Sequence, residues 1–409
     1  MRATKQTQQI AKQISPQRFY EITGHRLSPS YGGQKLMWIK DNEPHIYAKT
    51  YKMLNAKDFI ILKLTNQFVT EYSDASSTCL MDLNKLCWSD ELLNIMGIDK
   101  QKMPKLLKST DIAGYITNTA SELTGLCPNT PVVCGGGDGV CAAVGTGCIK
   151  EGIAHSSIGT SSWISITTKK PIFSKNKSTF NWAHIVPGYI TMQSGGGAYS
   201  WYINKFCQYE QNLAQKGHKS IYDILEQELA NTSVGSNGLL FLPYLIGERS
   251  PWWNTNAKAN FIGLKMEHQR KDLLRAIQEG VAMNLNIILN IFKAENIHIS
   301  ELVAVGGGAK SKSWQKIFAD VYNTKIILPK LLDEAASMGA AITAGVGIGI
   351  FKDFEVASKF ISLDKIIEPT PTNVKKYQKL QPIFEKAYLQ LQSLFEQLND
   401  FSEKRVLDA

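Results

Sequence analysis

Three glycine triplets divide this chain, and each stands in the same local setting. They are Gly135-Gly136-Gly137 after Pro131-Val132-Val133-Cys134, Gly195-Gly196-Gly197 after Thr191-Met192-Gln193-Ser194, and Gly306-Gly307-Gly308 after Leu302-Val303-Ala304-Val305. A short apolar or β-prone run precedes each triplet, and a helix-prone run follows it. A chain that passes from strand through bare backbone into helix brings amide N–H groups to a helix N-terminus, where negative charge is favoured. One triplet alone is equally a packing turn or a flexible loop. Three in one setting point to an α/β architecture with a nucleotide site assembled from several loops.

At 409 residues the chain is long enough for two lobes with an ample core. A 44% hydrophobic and 10% aromatic composition belongs to a folded protein rather than a disordered one. The most apolar stretch, residues 335–350, is rich in small residues, broken by glycine and too short for a bilayer, so no membrane partner is expected. The first nine residues carry no apolar segment of the secretory kind, and a cytoplasmic location is expected. The seven cysteines are odd in number and contain no Cys-x-x-Cys pair. They read as small buried hydrophobes in a reducing compartment rather than disulfides or zinc ligands. The net charge of +9 is scattered, for example over Lys169, Lys170, Lys175, Lys177, Lys310 and Lys312. That is compatible with anionic substrates and gives no reason to expect a nucleic-acid partner.

Local signals place the remaining elements. Residues 1–14 are helix-prone, and residues 34–40 and 56–64 carry apolar side chains at helical spacing. Asp74-Ala75-Ser76-Ser77-Thr78 reads as a turn or cap, and Ser89 as the N-cap of a further helix. Residues 130–133 form a short strand entering the first triplet, and the small-residue run 139–147 a helix leaving it. Residues 153–168 alternate as a hairpin around Gly159-Thr160-Ser161. Residues 188–194 read as a strand, with a helix from Tyr199 after the second triplet. Residues 239–245 read as buried strand or loop. Helices are expected at 271–292, at 311–322 and, polar and amphipathic, at 371–400. A boundary is expected near residue 150.

Asp138 is the leading candidate for chemistry. It follows three glycines and precedes a helix, where a carboxylate can take a proton from a substrate hydroxyl or help to hold a metal ion; a plain N-cap aspartate is the alternative. Gly159, Thr160, Ser161 and Ser162 at a hairpin tip could hold a phosphate or form an ordinary polar turn. Gly307-Gly308-Ala309 could face a nucleotide or serve close helix–strand packing. His155 and His184 lack partners at metal-ligand spacing and read as structural or substrate-lining. Glu248-Arg249 reads as a surface ion pair. No Gly-x-x-x-x-Gly-Lys-Ser/Thr motif is present.

Taken together, these motifs resemble the FGGY carbohydrate kinases, most closely the xylulokinase-like branch. Lys35-Leu36-Met37-Trp38-Ile39-Lys40-Asp41-Asn42 resembles one family signature, and Phe261-Ile262-Gly263-Leu264 with the run from Asp272 to Glu279 resembles the other. Gly136-Gly137-Asp138 matches the segment of the catalytic base. Ile158-Gly159-Thr160-Ser161 resembles the second phosphate motif, Gly196 falls at the nucleotide loop, and Val305 to Ala309 resembles the adenosine motif. Leu242-Pro243-Tyr244-Leu245-Ile246-Gly247-Glu248-Arg249 is similar to the xylulokinase branch.

The resemblance implies an actin-like ATPase (ribonuclease H-like) α/β fold with two lobes around a cleft. The lobes would be residues 1–149, lacking the opening of the first lobe, and 150–409, carrying the nucleotide loops. It implies ATP and Mg²⁺ as cofactors and a small-molecule sugar as substrate, most simply a ketopentose such as xylulose. Asp138 would be base and metal contact; Gly159, Thr160, Ser161, Gly196, Gly307, Gly308 and Lys312 would serve the nucleotide. Gluconate or another polyol as substrate stays open, as does a homodimer. The departures are specific. The family's opening Asp-x-Gly-Thr hairpin and its Met-His pair are not found, leaving an expected unpaired sheet edge. A piece of a longer kinase, a start placed late and a relative that binds without catalysing all fit. Gly139 stands where many xylulokinases carry a side chain that touches sugar. Gly32 replaces the usual Pro, Ser or Thr, and Gln278 replaces an apolar residue.

Overall fold

The computed structural model describes residues 2–158, 162–195, 198–217, 220–248, 250–330, 334–361 and 363–407. Contacts group the chain into two compact units. The first comprises Met1–Glu151, Ile166–Met192 and Glu334–Ser362; the second comprises Gly152–Ser165, Gln193–Asp333 and Leu363–Ala409. The expected lobes 1–149 and 150–409 follow chain order, whereas contacts return two later segments to the first unit.

The first unit opens with helices Thr4–Ala11, Pro16–Thr23 and Gly32–Asn42. Their starts and stops follow local chemistry. Ser15 accepts the Arg18 N–H, Pro16 occupies the first helical position, and Gly24 ends that helix in the left-handed conformation at φ +74°. The apolar faces of these helices meet Leu92, Leu93 and Met96 of helix Asp90–Met96 around Phe19, Leu36 and Leu80. Phe19, Leu80 and Leu92 are fully excluded from solvent, and each such side chain contributes about 2 kcal/mol of apolar burial. Ser89 caps its helix by accepting the Leu92 N–H, as the sequence indicates. The expected helix at 56–64 forms as Ala56–Thr65, with a reciprocal cap between Asn55 and Asp58 and a left-handed stop at Asn66. Of residues 74–78, read as a turn or cap, 74–77 belong to the short helix Tyr72–Ser77, whose N-cap is Glu71, and Thr78 is its C-cap.

The small-residue run judged too short for a bilayer is helix Ala335–Gly347, and it packs along helix Asp138–Gly145. Among the described residues no helix is long and apolar enough to cross a membrane. Two glycines set the distance between these helices. A Cβ on Gly145 would overlap the carbonyl oxygen of Ala335, and one on Gly339 would overlap that of Cys141. Each would also stand 2.9 Å from the other glycine's amide nitrogen. The small residues are therefore a backbone-contact face.

In the second unit, strands run in the order Leu363–Ile367, Lys325–Pro329, Glu301–Val305 and Ala154–Ile158. Glu301–Val305 is parallel to both of its neighbours, and Leu363–Ile367 closes an edge antiparallel. Parallel strands need crossovers, and the helix Lys312–Tyr322 supplies one of them. The 25-residue helix Arg270–Ala294 is capped by Gln269 and Asp272. Gly280 lets it press on the chain at Phe241, whose carbonyl a Cβ would strike. Helix Pro371–Leu407 packs through buried Tyr377, Phe384, Tyr388 and Phe395. Its start is held by Asp320, which accepts the Thr370 N–H at 2.7 Å and the Asn373 side-chain N–H at 2.8 Å.

Five cysteines are buried as expected, but Cys87 and Cys127 are exposed. Both histidines are buried. His155 Nδ1 lies 2.8 Å from the Ser165 hydroxyl. His184 Nδ1 accepts the Val186 N–H at 3.0 Å, and its Nε2 faces the Cys148 carbonyl at 3.2 Å. That pairing uses the neutral ring fully, and burial lowers the His184 pKa to about 4, against a weaker opposing pull from the Cys148 carbonyl.

Two expected outcomes follow from this packing. Replacing Gly339 by Ala should cost about 3 kcal/mol or more, because the obstacle is backbone and cannot swing away; a urea midpoint equal to that of the parent would refute the close crossing. The second concerns acid. The unfolded chain takes a proton on His184 near pH 6.5, but the folded chain only near 4. Stability should therefore fall as pH drops through that window, by on the order of 3 kcal/mol. His184→Asn should flatten the slope of unfolding free energy between pH 6.5 and 4, and an identical slope in both proteins would exclude His184 as its source.

Candidate active site

Asp138 is placed by a strand, a glycine turn and a helix, in that order. Strand Pro131–Val133 pairs antiparallel with Ile112–Tyr115. The pairing continues past it, since the Cys134 N–H donates to the Asp111 carbonyl and the Gly135 N–H to the Ser109 carbonyl, both at 2.9 Å. Gly135 then turns the chain at φ +74°, a conformation that favours glycine. Gly137 is the N-cap and Asp138 the first helical residue. The plain N-cap alternative therefore does not apply to Asp138. Its carboxylate is exposed, and Oδ1 accepts the Gly139 N–H at 2.7 Å. It stands where the free N–H groups of a first helical turn favour negative charge.

Beneath this turn lies a buried polar cluster to which the sequence reading assigned no chemistry. Glu71 is fully buried and accepts four hydrogen bonds: from the Ser73 N–H at 2.7 Å, the Ser73 hydroxyl at 2.6 Å, the Asp74 N–H at 2.8 Å and the Ser109 hydroxyl at 2.9 Å. The Ser73 oxygen in turn accepts the Gly137 N–H at 3.0 Å. Lys57 Nζ sits 2.8 Å from Asp58 Oδ1 and 3.5 Å from Asp74 Oδ2. Burial alone would lower the Lys57 pKa, but Glu71, Asp58 and Asp74 outweigh it, and the ammonium is held charged. Burial pushes the Asp74 carboxyl up to about 6, against the pull of Lys57. The available signal was Glu71 itself, an acid at the join of a strand and a serine-rich turn.

The second unit carries the other candidates. Gly306 has φ +88°, and a Cβ there would stand 2.7 Å from the Ile158 carbonyl oxygen. Gly308 is buried against Ile158 and Trp314, which meets the packing alternative for that residue. Gly307 is different. Among the described residues, a Cβ there would have only the Tyr222 hydroxyl nearby, at 3.7 Å. Gly159, Thr160, Ser161 and Gly196 lie outside the described residues.

Lys312 is exposed at the first position of helix Lys312–Tyr322. Two N–H groups of that helix end, those of Ser313 and Trp314, are already engaged. Ser311 accepts the Trp314 N–H, and Glu226 accepts from the Ser313 N–H at 2.9 Å, the Ser313 hydroxyl at 2.9 Å and the Ser311 hydroxyl at 2.6 Å. A protein carboxylate thus occupies the place that an anion would take. Gln278, the departure from the apolar pattern, belongs to the same network. Its amide donates to the Tyr199 hydroxyl at 3.1 Å and accepts from the Ser313 hydroxyl at 3.1 Å, and its backbone carbonyl accepts the Trp314 indole N–H at 3.1 Å. Glu248, expected in a surface ion pair, is instead buried and accepts the Ser250 N–H at 2.7 Å; Arg249 lies outside the described residues.

Among the described residues no group of three or more His, Cys, Asp or Glu side chains could hold a metal ion. Mg²⁺ commonly keeps several waters and binds through one or two carboxylates together with phosphates. A single exposed carboxylate at Asp138 fits a cation that arrives with a nucleotide rather than one held in a protein cage.

The comparisons with known proteins agree with this arrangement. The models of the N-terminal and C-terminal domains of the FGGY family of carbohydrate kinases match residues 1–145 and 154–348. The xylulose kinase of Lactococcus lactis subsp. lactis (strain IL1403) is 31% identical over 412 residues, covering 99% of this chain and 79% of the relative. A gluconokinase of Bacillus licheniformis is 32% identical over 380 residues, covering 92% and 74%. The crystal structure of ligand-bound xylulose kinase from Lactobacillus acidophilus matches with a TM-score of 0.88 at 26% identity, covering 97% of this chain and 79% of that one. The fold is therefore the actin-like ATPase fold, mixed α/β, that the resemblance implied. With both family domains matched in order, and a glycine turn leading from strand to helix in each unit, this chain belongs to the FGGY family of carbohydrate kinases.

Proposed function

We propose that this protein transfers the γ-phosphoryl group of ATP to a hydroxyl of a ketopentose of the xylulose type, with Asp138 as the base. One observation carries the assignment to Asp138: an exposed carboxylate at the first residue of a helix whose start and body are both gripped by the protein. A base must hold its oxygen within hydrogen-bond reach of the substrate hydroxyl, and a fixed helix start does this without cost at the moment of reaction. Asp138 accepts the proton as the sugar oxygen bonds to phosphorus and the bond from phosphorus to the bridging oxygen breaks.

Mg²⁺, when bound with the nucleotide, would neutralise phosphate charge, and Asp138 is the residue that would contact it or its water. Gly307 would lie against the nucleotide, since among the described residues only the Tyr222 hydroxyl comes near its backbone, and exposed Lys312 would add positive charge nearby. Gly308 would act by shaping that loop, and Gly159, Thr160, Ser161 and Gly196 keep the phosphate roles that the resemblance implies. The xylulose kinase relatives favour the ketopentose; the gluconokinase relative keeps gluconate as the second candidate. A cytoplasmic location is part of the same reading.

The test is ADP release with D-xylulose, D-gluconate and glycerol in turn. Xylulose-dependent release is expected to be highest. Asp138→Asn should lower turnover by about 10²- to 10⁴-fold while leaving ATP affinity, measured by calorimetry, within a few-fold. Nucleotide binding with no sugar-dependent release would instead support a protein that binds without catalysing, and unchanged turnover in Asp138→Asn would remove that residue from the role.

A further inference from the structure

We infer that Ser73 and Glu71 are positioning residues for Asp138, acting through the backbone of the glycine turn that precedes it; this rests on Asp138 being the base. The turn is held at two amides, and both holds lead to one carboxylate. The Gly137 N–H donates to the Ser73 hydroxyl oxygen at 3.0 Å, and that hydroxyl donates to Glu71 Oε1 at 2.6 Å. The Gly135 N–H donates to the Ser109 carbonyl at 2.9 Å, and the Ser109 hydroxyl donates to Glu71 Oε2 at 2.9 Å. Gly137 immediately precedes Asp138, so fixing the Gly136–Gly137 peptide leaves only the φ and ψ of Gly137 between the clamp and the peptide that carries Asp138.

The hydroxyl of Ser73 has one hydrogen. Glu71 takes it, so the Ser73 lone pair is left aimed at Gly137. Ser73 is 3% exposed and Glu71 0%, so water cannot substitute freely for either group. A buried carboxylate is expensive unless it is paired and hydrogen-bonded, and Glu71 is supplied with four donors and with Lys57 as nearby positive charge. The wall is also close in the steric sense. A Cβ on Gly137 would stand 3.3 Å from Asp74 Oδ1. At the far end of the helix, the bare backbone at Gly145 and Gly339 prevents sliding. A helix fixed at its body and clamped at the residue before Asp138 leaves that carboxylate little positional freedom.

The test uses the full chain and Ser73→Ala, with Ser73→Thr as the variant that keeps the hydroxyl. Loss of the hydroxyl should lower kcat by about 10- to 100-fold with KM for sugar and ATP within about twofold, because placement of the base, not binding, is disturbed. Ser73→Thr should recover most of the rate. A merely structural role predicts otherwise: a lower melting temperature with unchanged kcat well below it, and that result overturns the inference. If Asp138→Asn abolishes turnover while Ser73→Ala does not, this inference fails alone. If Asp138→Asn has no effect, the assignment of the base fails and takes this one with it. Hydrogen exchange supplies a readout independent of turnover. Faster exchange at the Gly137 amide in Ser73→Ala, with the amides of residues 141–145 unchanged, supports the clamp; equal exchange at Gly137 in both proteins refutes it.

Discussion

Bare backbone pressed against bare backbone is the contact on which this structure turns. Helices Asp138–Gly145 and Ala335–Gly347 approach until a single methyl at Gly145 or Gly339 would overlap a carbonyl of the other helix. Interiors are close-packed and resist added volume, so a crossing this tight has one arrangement rather than several. The helix it fixes begins with the candidate base. Position at a reacting centre is worth several kcal/mol of barrier, and in the proposed reaction that position would be inherited from packing well away from the carboxylate itself.

The two units solve a shared problem in the same way. A glycine turn gives the chain freedom just where the proposed function needs precision. In the first unit, buried Glu71 and the serines Ser73 and Ser109 take that freedom back. In the second, Glu226 with Ser311 and Ser313 braces the helix start that follows Gly306 to Gly308, and Gln278 extends the network. Carboxylates suit this task because they only accept, and the groups left over at a turn and a helix start are donors. The second brace has a chemical consequence. With the Ser313 N–H taken by Glu226 and the Trp314 N–H by the Ser311 hydroxyl, the start of helix Lys312–Tyr322 offers shape and the side chain of Lys312, not a full row of free amides.

Much of the fold was legible in the order of residues. Strand, glycine turn and helix follow one another at 131–145 and at 301–322 because apolar β-prone runs, positive-φ glycines and amphipathic runs each dictate local structure. Ser89 as a cap and Asn55 with Asp58 as a reciprocal cap are equally local. The place of Asp138 at the start of a helix could be read because its neighbours in sequence are also its neighbours in space. The misreadings have separate causes. Glu248 passed for a surface charge because burial is not written in a short window, and residues 74–77 for a turn or cap because the helix they form is a short one capped from Glu71.

What the sequence alone determined, then, was the class of architecture, the positions of the glycine turns and the acidic residue that follows the first of them, since these depend on backbone propensity over a few residues. Tertiary structure decided which polar groups would be buried together. Glu71 meets Ser109 across 38 positions and Ser73 meets Gly137 across 64, while Gln278 meets Tyr199 across 79. The value of each depends on a partner that only folding brings within 3 Å or so, where a hydrogen bond forms and a buried charge becomes tolerable.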